Sequence, residues 1–113
     1  MSQECGPVSE ELRWVFALLG KRWSGLILGV LVTAGVAHFA ELKRAIPGIS
    51  ERILSDRLTE LASAGLVTRE VLEGPPLGVR YRVTEAGEAL KPALMALGEW
   101  ASVHMAGLRA VAE

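Results

Sequence analysis

The sequence predicts a mainly α chain with a small β-hairpin, and two observations carry that class. Apolar residues recur at three- and four-residue spacing along most of the chain, and over about residues 67–83 this period gives way to alternation. Composition bounds the rest. Half of the 113 residues are hydrophobic and the mean hydropathy is +0.33. That length suits one domain with a core that needs no metal or disulfide staple, and the apolar content excludes disorder. The excess of apolar residues asks for a buried subunit interface or a membrane contact.

Each element follows from local spacing. From Val8 to Leu19, residues Leu12, Val15, Phe16 and Leu19 share a helix face, and Gly20 ends it. A second helix is expected over about Lys21–Thr33, stopping at Ala34-Gly35, and a short third near His38–Ala45 before Pro47-Gly48 forces a turn. Ser50 is placed to cap the next helix, which runs to about Ala64 with Leu54, Leu58 and Leu61 inward and Gly65 after its end. Val67, Arg69 and Val71 then alternate with Thr68, Glu70 and Leu72, Glu73–Gly78 punctuates, and Val79, Tyr81 and Val83 alternate with Arg80 and Arg82. Thr84 can cap a final long helix, which Pro92 is expected to kink because it lacks an N–H and crowds the carbonyl of Glu88. Helix, helix, short helix, turn, helix, hairpin and long helix make a winged helix-turn-helix with extra terminal helices. The expected division of 1–113 is a single such domain. Its helix-turn-helix lies at about 38–64, its wing at about 67–83, and its terminal helices at about 8–33 and 84–110.

Trp23 to Ala40 is an eighteen-residue run without Asp, Glu, Lys or Arg, and Gly25 and Gly29 have the spacing of packed transmembrane helices. His38 and three glycines interrupt it, so the expectation is a buried core helix whose glycines admit a close neighbour. The first residues lack a basic segment followed by an apolar core, and Cys5 is the only cysteine, so no disulfide forms within the chain. A soluble, cytoplasmic protein without a membrane partner is expected.

Net charge is −1, but it is unevenly spread. Residues 1–20 carry −2, residues 21–82 carry +3, and residues 83–113 carry −2. His38 and His104 stand in no ligand-spaced cluster, and no nucleophile elbow, phosphate loop or carboxylate pair appears, so neither an enzyme nor a cofactor or metal site is expected.

Nucleic acid fits better. Opposite the Leu54, Leu58 and Leu61 stripe lie Arg52, Ser55, Asp56, Thr59 and Ser63, with Arg57 at the flank. Short polar groups with Arg near a helix start suit the major groove, where Arg can fork onto a guanine edge. For this helix alone a solvated face fits equally well. Arg80 and Arg82 project from one strand face and suit phosphate contacts, although charge on an edge strand is also common. His38, Lys43 and Arg44, with the capping Ser50, adjoin the same region. Two basic elements flanking a helix-turn-helix favour double-stranded DNA as the partner.

These residues resemble the bacterial HxlR-type (MarR-like) winged helix-turn-helix regulators over about residues 5–100. The likeness runs through Leu18-Leu-Gly-Lys-Arg-Trp23, Phe39-Ala-Glu-Leu42, Ile46-Pro-Gly-Ile-Ser50 and Leu54-Ser-Asp-Arg-Leu-Thr-Glu-Leu61. It continues through Gly65-Leu-Val67, the Pro-Pro wing tip, Val79-Arg-Tyr81, Thr84-Glu-Ala-Gly87 and Trp100. The resemblance implies a homodimeric DNA-binding repressor whose Ser50 helix reads DNA and whose terminal helices pair. Trp14, Leu94, Leu97, Trp100, Met105 and Leu108 are the interface candidates, with core positions open as an alternative for Leu94 and Leu97. Some relatives sense oxidants or electrophiles through an N-terminal cysteine, which makes Cys5 the candidate sensor of an unidentified small-molecule or redox effector. The chain departs from the pattern in having Cys5-Gly6-Pro7 for Cys-Pro and Gly20-Lys-Arg-Trp23 for Gly-Gly-Lys-Trp. His38 replaces an Arg, and Arg80 replaces the usual Glu of the wing. A winged-helix module for protein interaction or small-molecule binding, without DNA specificity, is the alternative.

Overall fold

A computed structural model describes residues 5–112, with side chains described through Leu108. Ser9 starts α1 (Glu10–Leu19), its Oγ accepting the Leu12 N–H at 3.1 Å. The second helix begins later than expected. Trp23 takes a left-handed backbone (φ 83), so α2 runs Ser24–Ala34 and its axis meets α1 at 91°. Among the described residues no single helix is long and apolar enough to cross a membrane.

Val36–His38 forms a strand, β1, so His38, expected in the short third helix, instead precedes α3 (Phe39–Ala45). Then comes α4 (Glu51–Ser63), capped by Ser50, whose Oγ accepts the Ile53 N–H at 3.1 Å; Gly65 beyond its end has φ +83, as a residue after a C-cap needs. The core lies between these helices and the sheet. Ile27, Leu28 and Leu31 of α2 meet Leu42 of α3 and Leu54, Leu58 and Leu61 of α4, all fully buried, with Tyr81 beneath them. Burying each of these aliphatic side chains contributes about 1.5–3 kcal/mol.

The wing strands are β2 (Val67–Leu72) and β3 (Gly78–Val83), paired antiparallel with Glu70 opposite Arg80 and Val67 opposite Val83. Because β1 pairs with the other side of β3, the sheet order is β1-β3-β2. The strand carrying Arg80 and Arg82 is therefore central, and the edge-strand reading does not hold.

The last helix also differs from expectation. Thr84 caps a short α5 (Glu85–Ala89), and a separate α6 (Lys91–Ala112) follows. Pro92 does not kink a continuous helix. It sits in the first turn of a new one, where its missing N–H has no intrahelical partner to lose. Gly87 explains why α5 is fixed: a Cβ there would lie 2.3 Å from the Leu66 carbonyl oxygen. Thr84 knits the same junction, its Oγ1 donating to the Gly65 carbonyl at 2.6 Å and accepting the Gly87 N–H.

Gly25 and Gly29 do not admit a neighbour from within the chain, since a Cβ at either would meet nothing within 4 Å. They line an open apolar groove with Leu26, Val30, Thr33 and Leu94.

Candidate nucleic-acid interface

The sequence pattern places α4 with its leucines inward, and the structure turns Arg52, Ser55, Asp56 and Thr59 to solvent. Arg52, one residue inside the helix, has no ion-pair partner among the described residues. The Thr59 hydroxyl donates back to the Ser55 carbonyl at 2.9 Å, which leaves its oxygen as an acceptor. Ser50 spends its oxygen on the cap and keeps its hydroxyl proton to donate.

Arg57 is the member that differs. It is only 21% exposed, pairs with Glu60, and its Nε is buried without a hydrogen-bond partner among the described residues. Glu60 also accepts Lys21 Nζ at 2.6 Å, so one carboxylate ties the α1–α2 corner to the middle of α4. The Lys21 hydrogen bond and then that of Arg57 hold the Glu60 carboxyl below its ordinary value, against desolvation. Arg57 thus braces the helix. The neighbouring corner is braced again by Trp23, whose ring stands near Gly48 in the turn before α4 and carries the Arg22 guanidinium 4.6 Å above it.

Period-two geometry gives the sheet two faces. Ala37, Tyr81 and Val67 turn inward and are buried. The outward face aligns His38, Arg80 and Glu70 in one cross-strand row, with Arg82 opposite Thr68 beside it. Arg80 Nε donates to Glu70 at 2.7 Å, and Arg82 Nε donates to its other oxygen at 3.4 Å. The Arg80 hydrogen bond, with the Arg82 charge beyond it, keeps the Glu70 carboxyl below its ordinary value. At the row's other end His38 is exposed. Its backbone N–H donates to Glu41 Oε1 at 2.7 Å and its Nδ1 lies 2.8 Å from the same oxygen, which lowers the Glu41 carboxyl in turn. Lys43 is half-buried and Arg44 exposed on α3, neither in an ion pair among the described residues.

The candidate residues thus form two exposed sets, Arg52, Ser55 and Thr59 on α4 and His38, Arg80 and Arg82 on the outward sheet face. Sequence reasoning missed the carboxylates that accompany them: the partners of Glu60 and Glu70, 39 and 10 residues away, emerge only from helix packing and strand register, while Glu41 pairs locally with His38 three residues before it.

The interface candidates divide. Trp14, Leu97 and Trp100 are more than half exposed, and Met105 and Leu108 nearly so. Leu94 is half-buried against the core and belongs partly to the subunit. A cleft of about 360 Å³ opens between α1 and α5, lined by Trp14, Leu18, Leu66 and Leu90 among others. Cys5 is free and exposed ahead of α1.

Comparison with known proteins agrees with this architecture. The family model described as HxlR-like helix-turn-helix matches residues 18–108. The HTH-type transcriptional regulator YodB of Bacillus subtilis is 44% identical over 86 residues, which are 76% of this chain and 76% of that protein. The solved structure of the redox regulator HypR in its reduced form superposes with a TM-score of 0.81 at 30% identity, covering 89% of this chain and 99% of that one. Quinone-bound YodB from B. subtilis superposes at 0.72 with 37% identity, covering 83% and 98%. The chain belongs to the HxlR-like helix-turn-helix family of transcriptional regulators.

Proposed function

We propose that this chain works in the cytoplasm as a homodimeric repressor that binds double-stranded DNA sequence-specifically. The observation that carries the reading is the outward face of α4, where Arg52, Ser55 and Thr59 are exposed, together with a sheet face bearing His38, Arg80 and Arg82. In this reading α4 enters the major groove by its capped N-terminus, and the wing meets backbone phosphates. Two copies place two reading helices about 34 Å apart on an inverted repeat. The exposed apolar residues of α1 and α6 support the pairing of copies, since burial of such patches is what drives association. Repression follows from occupancy of the duplex.

The test is competition binding to the duplex upstream of the chain's own gene, across a range of salt. Affinity should fall steeply with salt. Arg52→Ala should weaken binding about fivefold to 150-fold, the cost of about 1–3 kcal/mol for losing a bidentate base contact, and relax preference at one base pair. Salt-independent binding, unaffected by Arg52→Ala, would sink the reading.

Cys5 is our proposed effector site. Support comes from its exposure as a free thiol and from the existence of a quinone-bound form of the related YodB. Treatment with a quinone should abolish DNA binding by the natural chain and leave Cys5→Ser unaffected. Equal loss in both removes Cys5 from the sensing step.

A further inference from the structure

The wing cations are already engaged. Glu70 divides its two carboxylate oxygens between Arg80 at 2.7 Å and Arg82 at 3.4 Å, all three on the outward sheet face. The pairing is not what holds the hairpin. Six backbone pairings set the β2–β3 register, Val67 and Tyr81 anchor the strands from the buried side, and the side chains of the triad are 31–49% exposed. Partly exposed pairs of this kind contribute at most about 1 kcal/mol. A carboxylate on a face that approaches a polyanion also repels it. The hairpin has a position-neutral way to avoid this, since Thr68 and Leu72 fill the same face of β2 without charge.

We propose that Glu70 is a specificity-determining residue, a built-in competitor for DNA phosphate at the wing. On an arbitrary duplex, attraction comes almost wholly from cations that displace condensed counterions. Arginines that already hold a carboxylate release fewer counterions there, so non-specific binding is suppressed. At the operator, base contacts from α4 hold the wing beside particular phosphates at high effective concentration, and phosphate replaces Glu70. Both arginines engage Glu70 through Nε, which leaves their terminal nitrogens without a hydrogen-bond partner among the described residues as the first point of exchange. The inference rests on the reading that the wing meets DNA.

The experiment compares the natural chain with Glu70→Gln, Arg80→Ala/Arg82→Ala, and the triple variant. The probes are a random-sequence duplex and an equal-length duplex from upstream of the gene, between 0.05 and 0.3 M salt. Glu70→Gln should bind the random duplex about fivefold more tightly near 0.15 M salt, the gain from about one additional phosphate contact, and steepen its salt slope by about 0.9. Binding to the upstream duplex should rise less than twofold, so the discrimination ratio falls. In the Arg80→Ala/Arg82→Ala background the Glu70 substitution should have no effect on that ratio. Equal change on both duplexes, no change, weaker binding to either, or persistence of the effect without the two arginines would overturn the proposal. If Arg80→Ala/Arg82→Ala binds both duplexes like the natural chain, the wing reading itself fails, which is a separate result.

Discussion

In the body, seven leucines and isoleucines of α2, α3 and α4 go inward and are fully buried. On α1 and α6 the same kinds of residue face out. No residue of α1 is buried, and Leu12, Trp14 and Phe16 are each more than half exposed, as are Met95, Leu97, Trp100 and Val103 on α6. The body carries the basic segment and closes its own core; the terminal helices leave their apolar surface open. A helix apolar on several sides, packed on its own chain only near its root, needs another surface to cover it. The contrast teaches that the buried core and the exposed apolar surface lie in different parts of one short chain, as the proposed pairing of copies requires.

Substitutions in the two regions should separate these roles. The largest effect is expected in the body. Leu58→Ala, in the fully buried stripe of α4, should cost about 2–5 kcal/mol in a urea unfolding titration and take DNA binding with it. Leu97→Glu with Trp100→Glu should behave in the opposite way. The unfolding of the body should change little, while sedimentation shows a monomer and affinity for the upstream duplex falls at least a hundredfold, about 2.7 kcal/mol, through loss of the second half-site. Loss of folded signal in that variant would mean that the arms are part of the core.

The smallest effect concerns the ion pairs that fasten the body. Glu41, Glu60 and Glu70 are each held below the ordinary carboxyl value of 4.5. Their folded forms favour the ionised state, so their contribution to stability is complete above that value and is lost as pH falls through the lowered one. Stability should therefore decline below about pH 4.5, and Glu60→Gln should show a shallower decline than the natural chain between pH 5 and 3. An unaltered acid profile would show that the Lys21–Glu60–Arg57 brace contributes nothing.

Much of this was legible in the residues. The Leu54, Leu58 and Leu61 stripe, the Ser50 cap and the alternation of the wing are local patterns, and each emerges at its expected place. What stayed hidden depends on distant partners. Val36-Ala-His38 is too short for alternation to speak, and it is a strand only because β3 offers it a free edge. Trp23 adopts positive φ for reasons of packing against the helix-turn-helix corner that no propensity announces. The glycines of α2 look like a site of close packing in sequence, yet face outward. For the site, the candidate cations could be named from charge and period, but their carboxylate partners could not.

The break at Leu90 has a mechanical consequence. A helix of 22 residues is a rod about 33 Å long, and α6 is joined to the body through a single non-helical residue, Leu90, two positions before Pro92. A rotation of about 5° at that joint displaces the far end by about 3 Å, close to one base-pair step along a duplex. If the far ends are clamped in a dimer, the same small angle is returned as a change in the distance between the two bodies. The fit of the pair to DNA is then governed by an angle at one joint, and a bound effector has only to alter that angle, with no need to unfold or reshape the reading helix.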